Sequence, residues 1–401
     1  MKKNCGALFF LILISFPYNF HAKDSQTSEE SQISFENKTA IEKQSSIEEQ
    51  SASGEQSSIG EQSPSEEPSS LESNTDEDHF ETQKKISLKK TFFDLRLRPE
   101  LGLLSGSIKE YVIDPLCLNT NNVESLLDWQ LIASPYIGID ASLTLFRYGY
   151  LSLNGKLGIS NSNGVIEDYD WLNSVAGDGT YIAWLSEPAT ELTNYSHHIN
   201  ILQNYYDFSI FAGGNIYLPQ SITITPFLGF YYDFIEMDAQ DGYTQYKWDN
   251  WEKIDMSGRG IKYKQEANAF MLGLNVIVNT LPLFTFESSY RISPKLFVIN
   301  DIDYHYNRNL VFYDYMESAF AFETKQNVFF KLAQKKSSNV DNSLGLSFFL
   351  HYVKYTGGRT SQAYMNSSGV IIANTLTKNI GYAGTSRFLW SLSLVYQMRI
   401  R

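Results

Sequence analysis

Two short acidic runs hold the residue types that acid–base chemistry needs: Glu167-Asp168-Tyr169-Asp170-Trp171 and Asn300-Asp301-Ile302-Asp303-Tyr304-His305. In an extended strand residues i and i+2 share a face, so Asp168 and Asp170 project together, as do Asp301, Asp303 and His305. If the strands carrying the two runs face each other, a water between them meets an Asp-supported imidazole and a second carboxylate pair. That is equipment for peptide hydrolysis. The bland readings are weaker. A lone Asp-x-Asp is usually a solvated surface, but here it is joined by a histidine. No carboxylate run carries the turn glycine of a calcium loop. His197 and His198 are neighbours that a strand sends to opposite faces, so no metal site is expected.

The elements that must position these residues follow a clear pattern. Lys2 and Lys3 precede an apolar run from about Ala7 to Phe16, broken by Pro17. The run is too short for a spanning helix and reads as an export signal over residues 1–22, with Ala22 the expected last residue before cleavage. Residues 23–88 read as a disordered Ser/Glu/Gln-rich linker, because such a composition cannot bury enough apolar surface to offset its ordering entropy. Between Lys23 and Lys85 it carries 16 acidic residues against 5 lysines, which is most of the chain's net −13. The pI of about 5.0 therefore describes the tail and not the folded part. Without the signal only Cys117 remains, so no intrachain disulfide is expected.

From about Phe92 onward the chain alternates. Phe388, Trp390, Leu392, Leu394, Tyr396, Met398 and Ile400 share one face of a strand, and Ser391, Ser393, Gln397 and Arg399 lie on the other. Phe270, Leu272, Leu274, Val276 and Val278 alternate in the same way, as do Leu151, Leu153, Leu157 and Ile159. An apolar outer face with a polar inner one is what a membrane barrel requires, because lipid offers no backbone partners and closure removes the edges. Ten long segments are expected, near 92–108, 124–143, 148–165, 191–217, 221–240, 259–279, 284–301, 310–333, 342–356 and 380–400. The fold class is all-β: a ten-stranded antiparallel transmembrane β-barrel over residues 89–401, preceded by the disordered acidic segment. Tight turns are expected at Leu218-Pro219-Gln220 and Thr280-Leu281-Pro282.

From about Pro99 to its end the chain resembles the omptin family of outer-membrane aspartyl endopeptidases. Five ordered motifs carry the resemblance: Leu101-Gly102-Leu103-Leu104-Ser105-Gly106-Ser107-Ile108-Lys109-Glu110, Leu126-Leu127-Asp128-Trp129, Glu167 to Trp171, Gly260-Ile261-Lys262-Tyr263-Lys264-Gln265, and Asp301 to Tyr306. The resemblance implies catalysis by Asp168, Asp170, Asp303 and His305. His305, supported by Asp303, takes a proton from the attacking water, while the opposing pair positions that water and shares one proton. Glu110 and Asp301 match the acidic specificity pocket, which implies exposed basic, often dibasic, peptides and proteins as substrates. It also implies no metal or covalent intermediate, outer-membrane lipid as a partner, no nucleic acid, a monomer, a site facing the cell exterior and a periplasmic tail.

Lipopolysaccharide is the activator the resemblance implies, but the positions that would bind it fall on Phe230, Tyr232, Phe234 and Glu266, which lack the basic chemistry. The loop after Asp170 is shorter near Trp184 to Tyr195, and the chain ends in Gln397-Met398-Arg399-Ile400-Arg401 rather than in a terminal Phe. Two other functions fit the same fold: an adhesin or invasion factor with weak or no proteolysis, and a small-solute channel. Self-processing at Lys84-Lys85 or Lys89-Lys90 is disfavoured, since those pairs belong on the membrane side opposite the site.

Overall fold

The computed structural model describes residues 93–113, 123–171, 191–279, 281–333 and 339–401. The export signal, the acidic linker, Cys117, the two dibasic pairs and most of the shortened loop lie outside the described residues.

Twelve strands occur among the described residues: β1 (Phe93–Ile113), β2 (Val123–Leu145), β3 (Gly149–Gly158), β4 (Asn161–Asp170), β5 (Asn194–Gly214), β6 (Ile216–Leu218), β7 (Ile222–Tyr246), β8 (Ile254–Val278), β9 (Phe284–His305), β10 (Leu310–Lys331), β11 (Val340–Tyr364) and β12 (Thr377–Ile400). All pairings are antiparallel, and β12 pairs back onto β1 from Leu95↔Ile400 to Ile113↔Tyr382. The ring has ten wall positions. β3 and β4 fill one of them in turn, each bridging β2 and β5, and β6 is a short extension beside β7.

Alternation sets inside and outside. On β12 Phe388, Leu392 and Leu394 are about half exposed, while Leu389, Ser391, Ser393 and Val395 are buried. The exposed set continues round the ring through Leu101, Leu103, Ile137, Ile139, Leu153, Phe208, Leu228, Phe270, Leu272, Phe330 and Leu346 as an apolar belt suited to lipid. One end of the ring has short turns, including the 3-10 turn Pro219–Ser221 at the tight turn expected there. Asp168, Asp170, Glu110 and the Asp301–His305 run lie on the strand segments past the belt, toward the other end.

Two bulges re-aim side chains inside this wall. On β2 the register against β1 slips between Leu104 and Gly106, where Ala133 takes a φ of 49° and donates its backbone N–H to Ser105 Oγ at 2.8 Å. Inward residues below the slip are Ser134, Tyr136 and Asp140; above it they are Leu127, Trp129 and Leu131. Gly106 is required opposite the slip: its φ is 136°, and a Cβ would fall 2.0 Å from the Phe388 carbonyl. On β10 the register slips between Met316 and Ala319, at Ser318 with φ 66°. Inward positions there switch from Ala319, Ala321 and Glu323 to Met316 and Asp314.

The interior is packed with side chains. Beside the site segments, Leu104, Ile108, Leu127, Trp129, Ile166, Leu202, Met237 and Tyr263 form an apolar cluster, with Trp129 stacked on Tyr263 at 5.1 Å. Level with the belt, buried charges occur in pairs. Arg98 donates to Glu287 at 2.9 Å and to Gln397 at 2.8 Å, Lys325 bridges Glu100 (3.1 Å) and Asp140 (3.5 Å), and Glu323 takes His351 (2.8 Å) and Arg291 (3.2 Å). A lumen filled in this way is not the open conduit a channel needs.

Candidate active site

Strand parity delivers the acidic residues inward. On β4 Asp168 and Asp170 are buried and Glu167 and Tyr169 face outward. On β9 Asp301, Asp303 and His305 are buried in the same alternation, and β1 contributes Glu110. β4 and β9 stand on opposite sides of the ring, and their groups feel one another across it. Asp168 acts electrostatically on Asp303, and Asp170 on His305.

The β4 pair is asymmetric. Asp170 Oδ2 accepts from Asn194 Nδ2 at 3.3 Å and from Arg308 Nη2 at 3.2 Å, so its carboxylate has a cation and a donor. Arg308 reaches it from the β9–β10 turn, across the mouth of the ring. Asp168 leaves its Oδ1 buried without a hydrogen-bond partner. Burial pushes Asp168 up to about 8, the neighbouring Asp170 charge adds to this, and Arg308 and Ser125 oppose it. The pair therefore holds a proton at neutral pH, and Asp168 carries it.

The β9 groups are arranged differently from a simple Asp–His pair. His305 Nε2 lies 3.7 Å from Asp303 Oδ2, beyond hydrogen-bond length. Asp303 instead accepts a hydrogen bond from Glu110, reached across the lumen from β1. Burial lifts Asp303 to about 8 against that bond, with Asp301, Asp314 and Asp168 adding to the rise. Burial drives His305 down to about 3, Arg308 adds to the fall, and Asp170 opposes it. The resting imidazole is thus neutral because it is desolvated, and a neutral imidazole is the form that can accept a proton.

A second constellation adjoins the first. Asp301 Oδ2 accepts from Gln265 Nε2 at 3.2 Å and from Tyr263 Oη at 3.3 Å. Gln265 is fully buried and its Oε1 accepts from Arg387 Nε, which ties Asp301 to the Arg387–Asp233 ion pair. Glu110, Asp301 and Asp314 each bring one carboxylate oxygen within 4.8 Å of the other two, an arrangement that could hold a cation. Asp314 lies directly opposite Asp301 in the β9–β10 ladder.

The structure thus brings Asp168 and Asp170 on one wall within electrostatic reach of Asp303 and His305 on the other, with Glu110 and Asp301 adjoining Asp303. Sequence reasoning missed Asp314, Arg308 and Gln265. The hairpin register was the signal for Asp314, and Gln265 stood unremarked at the end of a motif already noted. The positions expected to carry lipid-binding chemistry lie on the outer wall of β7 and β8, with Phe234 directly opposite Glu266.

The omptin family model matches residues 91–396. Among solved structures, the outer membrane protease OmpT from Escherichia coli matches with a TM-score of 0.62 at 17% identity, covering 79% of this chain and 99% of that one. The transport unit of the autotransporter AIDA-I from Escherichia coli reaches 0.27 at 8% identity, over 76% of this chain and 91% of its own, too slight a likeness to carry an argument. No curated protein matches the chain. With its family model spanning the whole ring of strands, the chain belongs to the omptin family.

Proposed function

We propose that the protein is an outer-membrane endopeptidase that cuts after basic residues, with its active site facing the cell exterior and its N-terminal segment in the periplasm. The observation that carries this reading is the convergence of Asp168, Asp170 and His305 from opposite walls, past the apolar belt. The attacking water sits between them. Neutral His305 takes its proton as the oxygen attacks the scissile carbonyl. Asp168, protonated at rest, donates a hydrogen bond to the developing charge. Asp170, held by Asn194 and Arg308, accepts from the water and orients it. Asp303 sits 3.7 Å from the imidazole, and its ionised form is the counter-charge for the imidazolium. Glu110 and Asp301 receive the basic side chain that precedes the cut bond.

The lipid requirement of this protein differs from one built on a basic cluster, because Phe230, Tyr232, Phe234 and Glu266 offer aromatic and acidic groups to the headgroup layer. The test is cleavage of a quenched peptide containing Arg-Arg or Arg-Lys by refolded protein, with and without lipopolysaccharide. Cleavage that disappears in His305→Ala and Asp168→Ala supports the reading. A folded, heat-modifiable barrel that cuts nothing in any lipid contradicts it and favours an adhesin.

A further inference from the structure

Asp314 is a buried carboxylate whose two oxygens have no hydrogen-bond partner of ordinary geometry, the Thr360 hydroxyl being a nearby donor that opposes the rise of its pKa. Glu110 Oε2, a few ångströms away, is buried and unpartnered too. Among the described residues no lysine or arginine forms an ion pair with Glu110, Asp301 or Asp314, although every other acidic cluster inside the wall has a cation within reach. Unsatisfied acceptors at this depth cost free energy unless a donor arrives from outside. A cationic ligand supplies both the donors and the charge.

The shape of the cluster selects among cations. An ammonium has three N–H donors directed to the corners of a tetrahedron. At ordinary hydrogen-bond lengths its three acceptors stand about 4.6 Å apart. The three carboxylate oxygens here lie no more than 4.8 Å from one another, close enough for one ammonium to reach all three. A guanidinium presents five N–H groups in one plane and pairs best side-on with a single carboxylate fork, so a three-cornered set of acceptors from three walls suits it less. The corners come from β1, β9 and β10, and the Asp301 corner is fixed by Gln265 and Tyr263.

We propose that Asp314 is a specificity-determining residue that completes a three-carboxylate receptor with Glu110 and Asp301, and that this receptor favours lysine over arginine before the cut bond. The proposal rests on the protease reading of the same site. It deepens that reading by naming the third carboxylate and the cation it selects. The bulge at Ser318 brings Asp314 inward, since without it the inward parity of lower β10 would present Tyr313 and Tyr315 instead.

The experiment compares kcat/KM for two peptides that differ only in lysine or arginine at that position, using the full-length refolded protein and Asp314→Asn. The wild type should cut the lysine peptide at least as well as the arginine peptide. Asp314→Asn should lower the lysine-to-arginine ratio by about tenfold or more, the loss expected when one charge-assisted hydrogen bond is removed. A ratio that the substitution leaves unchanged overturns the proposal.

A second measurement covers a variant that fails to fold and a wild type that cuts neither peptide. It is the binding of n-butylammonium and n-butylguanidinium to the wild type, followed by the chemical shifts of the ligand, with calcium chloride as competitor. Tighter binding of the ammonium supports the receptor even if neither peptide is cut, and in that case only the protease reading fails. Tighter binding of the guanidinium, or occupancy by calcium that excludes the ammonium, overturns it.

Discussion

The lumen at belt level and the rim above it are built from the same residue types and treat them in opposite ways. At belt level each buried charge has a counter-charge: Arg98 with Glu287, Lys325 with Glu100 and Asp140, Glu323 with His351 and Arg291, Lys156 with Asp207. At the rim six buried carboxyl groups gather within a few strand positions, and Arg308 on Asp170 is the one cation pairing with any of them among the described residues. Paired charges close a lumen and give it one packing. Unpaired ones share protons and hold unsatisfied oxygens, the environment that marks a candidate site. The difference separates paired from unpaired acidity in a chain where composition alone cannot.

The comparison can be broken most sharply at the rim. His305→Ala and Asp168→Ala should each lower kcat/KM by about 10³-fold or more, the range for losing a positioned acid or base. Both variants should retain the heat-modifiable folded form. A loss under tenfold in either would show that the cleft is not the reaction centre. In the lumen the expected effect is on stability. Glu287→Ala removes the carboxylate that pairs most closely with buried Arg98 and leaves it only Asp140, at 3.9 Å, at a cost of about 3 kcal/mol. The midpoint of denaturant unfolding in detergent should report it, while cleavage well below that midpoint stays near the wild-type rate.

The protonation of Asp168 sharpens the comparison through pH. Its carboxyl is held up to about 8 in the folded chain against an ordinary value of 3.8. Between those values the folded state keeps a proton that the unfolded state has lost, so stability falls as pH rises through that window. Asp168→Asn should flatten that slope, read as the unfolding midpoint at pH 5 and pH 8. An unchanged slope would place the proton elsewhere. The smallest effect is expected from Arg308→Ala. Arg308 is half exposed, so its ion pair with Asp170 contributes about 0–1 kcal/mol to stability. Its loss should instead lower kcat about tenfold with little change in KM, because Asp170 loses the group that orients it.

Much of the fold was legible because lipid on one side and a packed lumen on the other impose a strict period of two. The alternations on β8 and β12 mark the exposed and buried faces residue by residue, and the ten expected segments coincide with the ten wall positions. The ends were read short: β7 runs to Tyr246 and β11 to Tyr364, beyond the expected 240 and 356. Past the belt the outward face of a strand meets water, and the apolar alternation fades although the ladder continues. The segment near 148–165 is two strands, β3 and β4, the second running to Asp170.

The candidate site was legible where its residues share a strand and hidden where they do not. Asp168 with Asp170, and Asp303 with His305, announce themselves by i, i+2 spacing. The bond between Glu110 and Asp303 joins β1 to β9 across the lumen, and no local pattern encodes it. Asp314 was masked by the Ser318 bulge, which inverts the parity that Glu323 and Lys325 set lower on β10. The support expected from Asp303 to His305 is not a hydrogen bond in the structure, where the two lie 3.7 Å apart and burial draws both toward neutrality.

The measurement that tests the central claim most directly is kcat/KM on a peptide with a single basic cleavage site, for wild type, His305→Ala and Glu287→Ala side by side. All three are first confirmed folded and assayed well below their unfolding midpoints. The rim variant should lose about 10³-fold or more while the lumen variant stays within a few-fold of wild type. Equal losses in the two variants, or cleavage that survives in His305→Ala, would contradict it.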